Sequence, residues 1–332
     1  MKASFETTEF HDIYHYMECA ASIADIHSIQ IQPGSLSIKN HCLEFDDLIV
    51  NHYSANRNTL DRFSIAPKYL HFVLTSSKLF GGKWCGIDVP VNTIGVLHPR
   101  REHHSLVPAD WDSIGITIKN KTVLQEWLLS ENMWRQTLRP ESALFNHESL
   151  RIASFQTKLS RYFQFPGILN LLVNNELARL EFRNWVLHEL RMIFIEIEAY
   201  QSQHHTPDRK SSRRYITYSR AMTVIETNLA DQLSVKKISD RIGVTPRTLQ
   251  LCFKELSGVS PHQHITARKL QAVQRELFYL KNSTKSISNI AQDYGLQHAG
   301  RFSSNYKRMF LELPRETLKR REELMRNEIG QA

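Results

Sequence analysis

Residues 238–256, ISDRIGVTPRTLQLCFKEL, carry the strongest local structural signals of the chain. Gly243 supplies a sharp turn between two short helices, because glycine adopts positive φ without a steric cost. Thr245 and Pro246 begin the second helix. The threonine oxygen can accept bonds from free backbone amides, and proline fits the first turn, where its missing N–H costs nothing. Each helix carries a short apolar stripe, so the stretch predicts a helix-turn-helix.

A second copy of this unit, IAQDYGLQHAGRFSSNYKRMF, occupies residues 290–310. The apolar and glycine positions of the first helix recur 52 residues later, and those of the second helix recur 53 residues later. The turn of the second copy is therefore one residue longer. The matched pairs are Ile238 with Ile290, Ile242 with Tyr294, Gly243 with Gly295, Leu249 with Phe302, Phe253 with Tyr306, and Lys254 with Lys307.

The side of each second helix that faces away from these apolar residues is mostly polar. Arginine can bind guanine through two hydrogen bonds, glutamine and asparagine suit adenine, and lysine suits phosphate. The predicted base-contacting residues are Arg247, Gln250, Leu251, His298, Arg301 and Ser304, and the predicted phosphate-contacting residues are Lys254, Arg268, Asn305 and Lys307. One such face alone would be read as solvated surface; two in a basic region favour DNA recognition.

Residues 260–280, SPHQHITARKLQAVQRELFYL, predict one long helix between the copies, opened by a Ser-Pro cap. A single helix would fix the separation of the two copies. Major-groove entries on one face of DNA recur about every 34 Å. The sequence therefore predicts a chain that enters two adjacent grooves of double-stranded DNA.

The charge of the chain is divided unevenly. Residues from 213 onward hold 21 Lys+Arg and 11 Asp+Glu, a net charge of +10, whereas residues 1–212 hold 21 and 23, a net charge of −2, so all of the positive excess lies in the second part. A basic domain beside a near-neutral one is typical of nucleic-acid binding through phosphate neutralisation. A basic domain with no polyanionic partner would show the same charge.

Composition excludes several classes of protein. The chain is 41% hydrophobic, which suits a folded globular protein, and it has no apolar run long enough for a membrane helix. The acidic, polar N-terminus does not resemble a secretory signal. Four scattered cysteines suit a reducing compartment, so we expect a cytoplasmic protein that does not bind membranes. Cys85 is expected to be a buried thiol rather than a redox sensor.

The first 214 residues change texture along the chain. Residues 8–26 predict a helix, and residues 28–119 predict short strands of an antiparallel barrel or sandwich, because short β-rich runs alternate with Gly, Pro and Asp. Residues 201–214 contain no apolar residue and predict a linker. Further helices are predicted at TVLQEWLL (residues 122–129), at 148–165 and at 168–200.

The last of these helices is apolar on more than one side. Val173, Leu180, Leu187 and Phe194 recur every seven residues, joined by Leu190. Such a stripe can form the seam of a homodimer, so these five residues are the predicted dimerisation residues. A helix buried wholly within its own chain fits the pattern equally well.

The region 216–320 resembles the DNA-binding domain of the AraC/XylS family of bacterial transcription regulators. The resemblance rests on Ala291, on Tyr294-Gly295-Leu296, on Phe302 with Tyr306, and on Pro314. Leu296 and Tyr306 stand where the family usually has phenylalanine, and Glu312 stands where glycine is common. The family's base-contacting positions fall on Arg247, Gln250 and Leu251 in the first copy, and near Ala299, Gly300, Arg301 and Ser304 in the second. Since Ala299 and Gly300 offer few contacts, the first copy would read sequence while Arg301 and Lys307 grip the backbone.

The resemblance also implies an α+β organisation. We expect an N-terminal helix and a cupin-like antiparallel β domain over 1–120, a helical dimerisation segment over 121–200, a linker over 201–214, and an all-α domain over 215–332 with two helix-turn-helix modules joined by a long helix. It implies transcription control, commonly activation, with RNA polymerase as a partner and a small effector bound in the barrel. The effector-binding residues are not predicted. A regulator controlled by a protein partner or by abundance alone remains the alternative.

Enzyme chemistry finds no support in the sequence. His98, Glu102, His103 and His104 lie close together, but adjacent residues of a strand point to opposite faces, unlike the alternate histidines of a cupin metal site. The chain has no phosphate-binding loop, dinucleotide fingerprint or nucleophile elbow. We therefore expect no metal, no cofactor and no catalysis; a metalloenzyme fused to a DNA-binding module is the remaining alternative.

Overall fold

The computed structural model describes residues 2–76, 81–97, 99, 102–119, 144–145, 149–201, 209–279 and 285–329. They form two compact units. The first comprises Met1–Ser28, Ser37–Asn56 and Asp61–Ser212, and the second comprises Ile29–Leu36, Arg57–Leu60 and Arg213–Ala332. The predicted division into an antiparallel β region followed by a helical C-terminal region is confirmed. The predicted helix at 122–129 and linker residues 202–208 lie outside the described residues.

The strands of the β region form two sheets. They are β1 (Ala3–Phe10), β2 (Ala24–Gln30), β3 (Ile38–Phe45), β4 (Leu48–Ala55), β5 (Thr59–Ile65), β6 (Leu70–Thr75), β7 (Lys83–Trp84), β8 (Ile87–Asp88), β9 (Ile94–Leu97), β10 (Glu102–Val107), β11 (Trp111–Ile118) and β12 (Leu144–Phe145). Seven antiparallel strands pair in the order β1-β3-β4-β11-β6-β9-β12. The other five pair in the order β2-β5-β10-β7-β8.

One face of the seven-stranded sheet is covered by three helices, α2 (Leu150–Gln164), α3 (Pro166–Asn174) and α4 (Glu176–Gln201). Strand alternation supplies the apolar face: Ile114, Ile116 and Ile118 of β11 are at most 1% exposed. They pack in one core with residues of all three helices. This burial is the main hydrophobic stabilisation of the first unit.

The opposite face of this sheet faces the five-stranded sheet. Gly95 alternates with the buried Ile94 and Val96 of β9 and therefore points away from the helices. A Cβ built on Gly95 would lie 2.6 Å from the indole ring of Trp84, which belongs to the five-stranded sheet. The two sheets thus pack face to face at this point.

The helix predicted over residues 8–26 is shorter in the structure. Only Ile13–Ala20 is helical (α1), and the Asp12 carboxylate begins it by accepting bonds from the amides of Tyr14 and His15 at 2.8 and 3.1 Å. The residues before and after it belong to β1 and β2. ASFETTEF offers few apolar residues, so its pairing with β3 decides its conformation rather than its own pattern.

The predicted helix over 168–200 is broken at Asn175. The Asn175 side chain accepts a bond from the Ala178 amide at 3.0 Å and begins α4. The guanidinium of Arg179, which is 9% exposed, donates to the last carbonyls of α3, those of Leu172 and Val173. A cation at a helix C-terminus is favourable, so the break has its own caps.

Three of the five predicted dimer-seam residues lie in the chain's own core. Leu187, Leu190 and Phe194 are 4%, 0% and 2% exposed and lie in the core beneath the seven-stranded sheet. Val173 is partly buried against the same core, whereas Leu180 is 42% exposed. Seven-residue spacing aligns side chains on one face of a helix, but it does not say whether a sheet or a second subunit covers that face.

The second unit contains seven helices among the residues described. They are α5 (Arg209–Thr227), α6 (Val235–Ile242), α7 (Pro246–Ser257), α8 (Pro261–Tyr279), α9 (Ile287–Asp293), α10 (Ala299–Phe310) and α11 (Pro314–Ile329). Residues 209–214 belong to α5, so this part of the predicted linker is helical. The long helix predicted between the two copies is confirmed as α8.

Candidate nucleic-acid interface

Helices α6 and α7 form the first helix-turn-helix module. The Ser234 hydroxyl caps α6 by accepting from the Lys237 amide at 3.2 Å. Gly243 ends α6 with φ 74° and ψ 36°, the left-handed conformation that favours glycine. Thr245 then caps α7 through a 3.1 Å bond from the Thr248 amide. The turn signals predicted from the sequence are confirmed.

Helices α9 and α10 form the second module. Ser286 caps α9 by accepting from the Asn289 amide at 3.1 Å, and Gly295 takes φ 70° in the turn. His298 is the N-cap of α10, without a side-chain capping bond. The two glycines are 52 residues apart and the caps Thr245 and His298 are 53 apart, which confirms the longer second turn.

The predicted inward residues form the core of the second unit. Leu249 and Phe253 are 0% exposed, and Phe302 and Tyr306 are 4% and 0% exposed. Both sets belong to one hydrophobic cluster. With these side chains buried, the opposite sides of α7 and α10 are left for solvent or a ligand.

The hydroxyl of Tyr306 belongs to a hydrogen-bonded chain of polar side chains. Its hydroxyl lies 2.8 Å from that of Thr317, which donates to Glu312 at 2.6 Å, and Arg320 donates to the same carboxylate at 3.0 Å. The left-handed position after α10 is Leu311, with φ 60°, and not Glu312. Leu311 lies 53 residues after Gly258, which has φ 71° at the end of α7.

The outward side chains of α7 are Arg247, Gln250, Leu251 and Lys254, and all four are exposed. Within the described ranges, the three polar members have no hydrogen-bond or ion-pair partner. They are therefore available to bind a ligand that approaches this face.

The corresponding face of α10 is similar in part. His298, Arg301, Ser304 and Lys307 are exposed, as predicted from the inward positions. Asn305 is only half-exposed and accepts a bond from Arg308 at 3.2 Å. Ala299 and Gly300 expose no hydrogen-bonding side chain, so α10 offers fewer polar groups near its N-terminus than α7.

Helix α8 positions both modules. It packs against α7 of the first module and against α9 and α10 of the second. Its 19 residues correspond to an axial length of about 27 Å, from 1.5 Å per residue. One continuous helix therefore fixes the spacing between the two outward faces.

Two charged residues of α8 bind groups of their own unit. Arg268 Nε donates to both carboxylate oxygens of Glu226 on α5, at 2.7 and 2.9 Å. The prediction that Arg268 contacts phosphate is therefore unsupported by its placement. Lys269 is 6% exposed and donates from Nζ to the Asp231 carbonyl at 2.8 Å, and burial lowers its pKa. Sequence reasoning gave Lys269 no role, although its apolar neighbours in KLQAV indicated burial.

The histidine region of the first unit shows no metal geometry in its described residues. His103 and His104 are 0% and 7% exposed, and His104 Nε2 lies 2.9 Å from a Glu102 oxygen. His98 lies outside the described residues. Within the ranges described, no group of three or more His, Cys, Asp or Glu residues could hold a metal ion. Cys85 is buried at 4% exposure. No described helix is both long and apolar enough to cross a membrane.

Comparison with known proteins finds a match to the region that contains both helix-turn-helix modules. A family described as "Helix-turn-helix domain" matches residues 238–320. The XylDLEGF operon transcriptional activator 3 of Pseudomonas putida is 34% identical over 105 residues, which covers 32% of this chain and 32% of that protein. The chain therefore spans about a third of the length of that relative.

Two further matches cover a similar share of the chain. The multiple antibiotic resistance protein MarA of Salmonella typhimurium is 33% identical over 95 residues, covering 29% of this chain and 72% of that protein. A solved structure of a transcriptional regulator with an AraC-type DNA-binding domain from Chromobacterium violaceum is 28% identical, with a TM-score of 0.30, and covers 32% of this chain and 92% of that one.

Proposed function

Because the chain belongs to the AraC/XylS family of bacterial transcription regulators, we propose that it is a sequence-specific DNA-binding regulator, and an activator, whose two modules enter adjacent major grooves. The observation that carries the proposal is the pair of outward faces on α7 and α10, repeated 53 residues apart and joined by α8. Helices of this kind lie in the major groove with their outward residues on base edges. The basic charge of the second unit supports phosphate contacts.

In this proposal Arg247 and Gln250 read bases, together with Leu251. Their side chains project from the first two turns of α7, where a recognition helix meets base edges. On α10, Arg301 and Lys307 hold the phosphate backbone, and His298, Ser304 and Asn305 are further contacts. Lys254 takes the same role on α7 that Lys307 takes on α10.

Mobility shifts on a selected site and on random duplex DNA test this division of roles. Arg247→Ala should weaken the selected site by about 1–3 kcal/mol and leave random DNA nearly unchanged, since only base contacts carry sequence information. Lys307→Ala should weaken both and reduce the slope of log affinity against log salt by about one phosphate contact. Arg161→Ala and Lys158→Ala, exposed residues of α2, are matched controls that should change neither. Equal losses on both DNAs for Arg247→Ala would refute its reading role.

We further propose that the first unit is a cupin-like effector domain. The face of the seven-stranded sheet away from the helices carries polar groups. The Asn51 amide donates to Asn40 at 3.1 Å, and His71 Nδ1 lies 2.8 Å from the Thr117 hydroxyl. Burial lowers the pKa of His71 to about 4, so this imidazole is neutral near pH 7 and offers one donor and one acceptor.

Glycine at 115 gives these groups their room. A Cβ there would lie 2.3 Å from Asn51 Oδ1 and 2.9 Å from His71 Cε1. Polar groups on this face favour a small hydrogen-bonding effector over a purely apolar one, because an apolar ligand that displaced their present partners would leave them buried and unpaired. Control by a protein partner or by abundance alone is the competing proposal.

Melting temperatures of the full chain against a panel of small metabolites test the effector proposal. A ligand at a hundred times its dissociation constant should stabilise the protein by about 2.7 kcal/mol, a shift of several degrees. Asn51→Ala should reduce the shift, whereas His188→Ala, an exposed residue of α4, should not. Silence across the panel would favour the competing proposal.

A homodimer is also part of the proposal, with a seam that keeps Leu180 of the predicted residues and adds its exposed apolar neighbours. Leu177 and Leu180 of α4 are 63% and 42% exposed, and Leu171 of α3 is 52% exposed. Leu180→Glu should shift sedimentation towards monomer, and Leu150→Glu, at a leucine that is 90% exposed, is the matched control. If the wild-type protein sediments as a monomer, the homodimer proposal is refuted. Activation implies contact with RNA polymerase, which transcription in vitro tests.

A further inference from the structure

The outward face of α7 contains one large apolar side chain. Leu251 is 54% exposed, whereas the neighbouring Leu249 and Cys252 are 0% and 1% exposed. Arg247 lies four residues before it and Lys254 three residues after it, so both are its neighbours on the helix surface. Leu251 therefore stands in the middle of the face proposed to meet base edges.

Single exposed leucines are common on proteins and need no explanation by themselves. The position of Leu251 is informative because its neighbours can all form hydrogen bonds and it cannot. An apolar side chain within such a face can recognise only an apolar group on the partner. The thymine methyl group is the apolar feature among the base edges of the major groove.

We propose that Leu251 is a specificity-determining residue that packs on the 5-methyl group of a thymine. This inference rests on the proposed DNA-binding function. Packing on the methyl group favours thymine over cytosine, which presents an amino group and no methyl group there. It adds an apolar contact to the hydrogen bonds supplied by Arg247 and Gln250.

The second module gives an internal contrast. The residue 53 positions after Leu251 is Ser304, an exposed hydroxyl on α10. Lys254 and Lys307 match across the same interval, so the two helices differ at this point while keeping the same basic residue three positions on. Recognition of a methyl group through Leu251 is therefore confined to the half of the site that α7 contacts.

The experiment uses the full chain and DNA selected from a random duplex library. Each thymine of the selected sequence is replaced singly by deoxyuridine, which removes the methyl group and keeps the O4 acceptor and the base pair. A parallel selection with Arg247→Ala identifies the half-site of α7 by its relaxed preference. We expect one or two thymines in that half-site whose replacement weakens binding about fourfold, the value of one buried methyl group.

Variants at Leu251 assign this effect. Leu251→Ala should bind thymine and deoxyuridine equally at those positions, while Leu251→Met should retain the preference. Leu150→Ala removes an exposed leucine of the first unit and should change nothing. Alanine and methionine both favour helices, so the variants are expected to fold, and circular dichroism checks this.

Two results would overturn the assignment: no thymine in the α7 half-site showing a methyl effect, or an effect that persists in Leu251→Ala. Failure to enrich any sequence from the library would be a different result. It would refute the DNA-binding proposal itself, and the role of Leu251 with it.

Discussion

His264 of α8 makes the second unit sensitive to acid. The side chain is 0% exposed, and neither ring nitrogen has a hydrogen-bond partner among the described residues. The ring of Phe253 packs against it edge to face at 5.6 Å. Burial lowers the pKa of His264 to about 4, with Glu226 raising it and Arg268 lowering it to smaller extents. In the folded protein at neutral pH, His264 is therefore uncharged.

The sign and size of the effect follow from proton linkage. In the unfolded chain the pKa of this histidine is 6.5. Between that value and about 4 the unfolded state binds a proton that the folded state does not, so stability falls as pH falls through this window. Above it the group has no effect. At about pH 5 the loss amounts to about 2 kcal/mol, from about 1.4 kcal/mol per pKa unit.

His264→Leu should remove this loss. At neutral pH the variant should be as stable as the wild type or more so, because leucine leaves no unpaired buried nitrogen. His262→Leu, an exposed histidine of the same helix, is the matched control and should keep the wild-type dependence on pH.

Urea unfolding at neutral pH and at about pH 5 measures the difference, followed by far-ultraviolet circular dichroism and by tryptophan fluorescence. All five tryptophans precede residue 200, so fluorescence reports the first unit while the second contributes only to the helical signal. A transition seen by dichroism alone belongs to the second unit. If wild type and His264→Leu lose the same free energy on acidification, the reasoning is refuted.

Three further substitutions test particular contacts. Leu311→Gly should raise the free energy of unfolding by about 0.5–1 kcal/mol. The left-handed φ costs leucine about 1–2 kcal/mol, and the greater freedom of glycine in the unfolded chain offsets part of the gain. An unchanged or lower melting temperature would contradict this. Lys269→Met should speed hydrogen exchange in the turn around Asp231, whose carbonyl the ammonium binds, and equal exchange would show that the amine does not hold this turn. Gly95→Ala should destabilise the first unit by about 1–3 kcal/mol, because the added methyl group clashes with Trp84. Gly167→Ala should not, because the space around Gly167 is open. If the two variants unfold at equal midpoints of tryptophan fluorescence, the two sheets do not face each other at Gly95.

The second unit was predictable because its signals are local. Gly243, Thr245 and Pro246 specify the helix ends by their own chemistry, and each lies where the sequence placed it. The outward faces followed from the buried positions alone. Leu311 escaped notice because a leucine carries no sign of a left-handed backbone, and only the 53-residue register with Gly258 reveals it.

The first unit was less predictable because its contacts are distant along the chain. β1 pairs with β3 at separations of 28 to 42 residues, and its own residues give no strong pattern. The stripe of Leu187, Leu190 and Phe194 correctly indicated a buried face, but the partner is the chain's own sheet. The sequence of a helix alone does not show whether its apolar face packs on a sheet of the same chain or on a second subunit.

The unequal turns of the two modules bear on how the regulator would sit on a promoter. In the proposed function, the two modules contact DNA with unlike outward residues, such as Leu251 on α7 and Ser304 on α10, whereas the two halves of a symmetric dimer are identical. The base pairs they contact would then form a non-palindromic site that reads differently in its two directions. Each chain would bind the duplex in one orientation. Inverting the site would therefore reverse the orientation of the bound protein relative to the start of transcription.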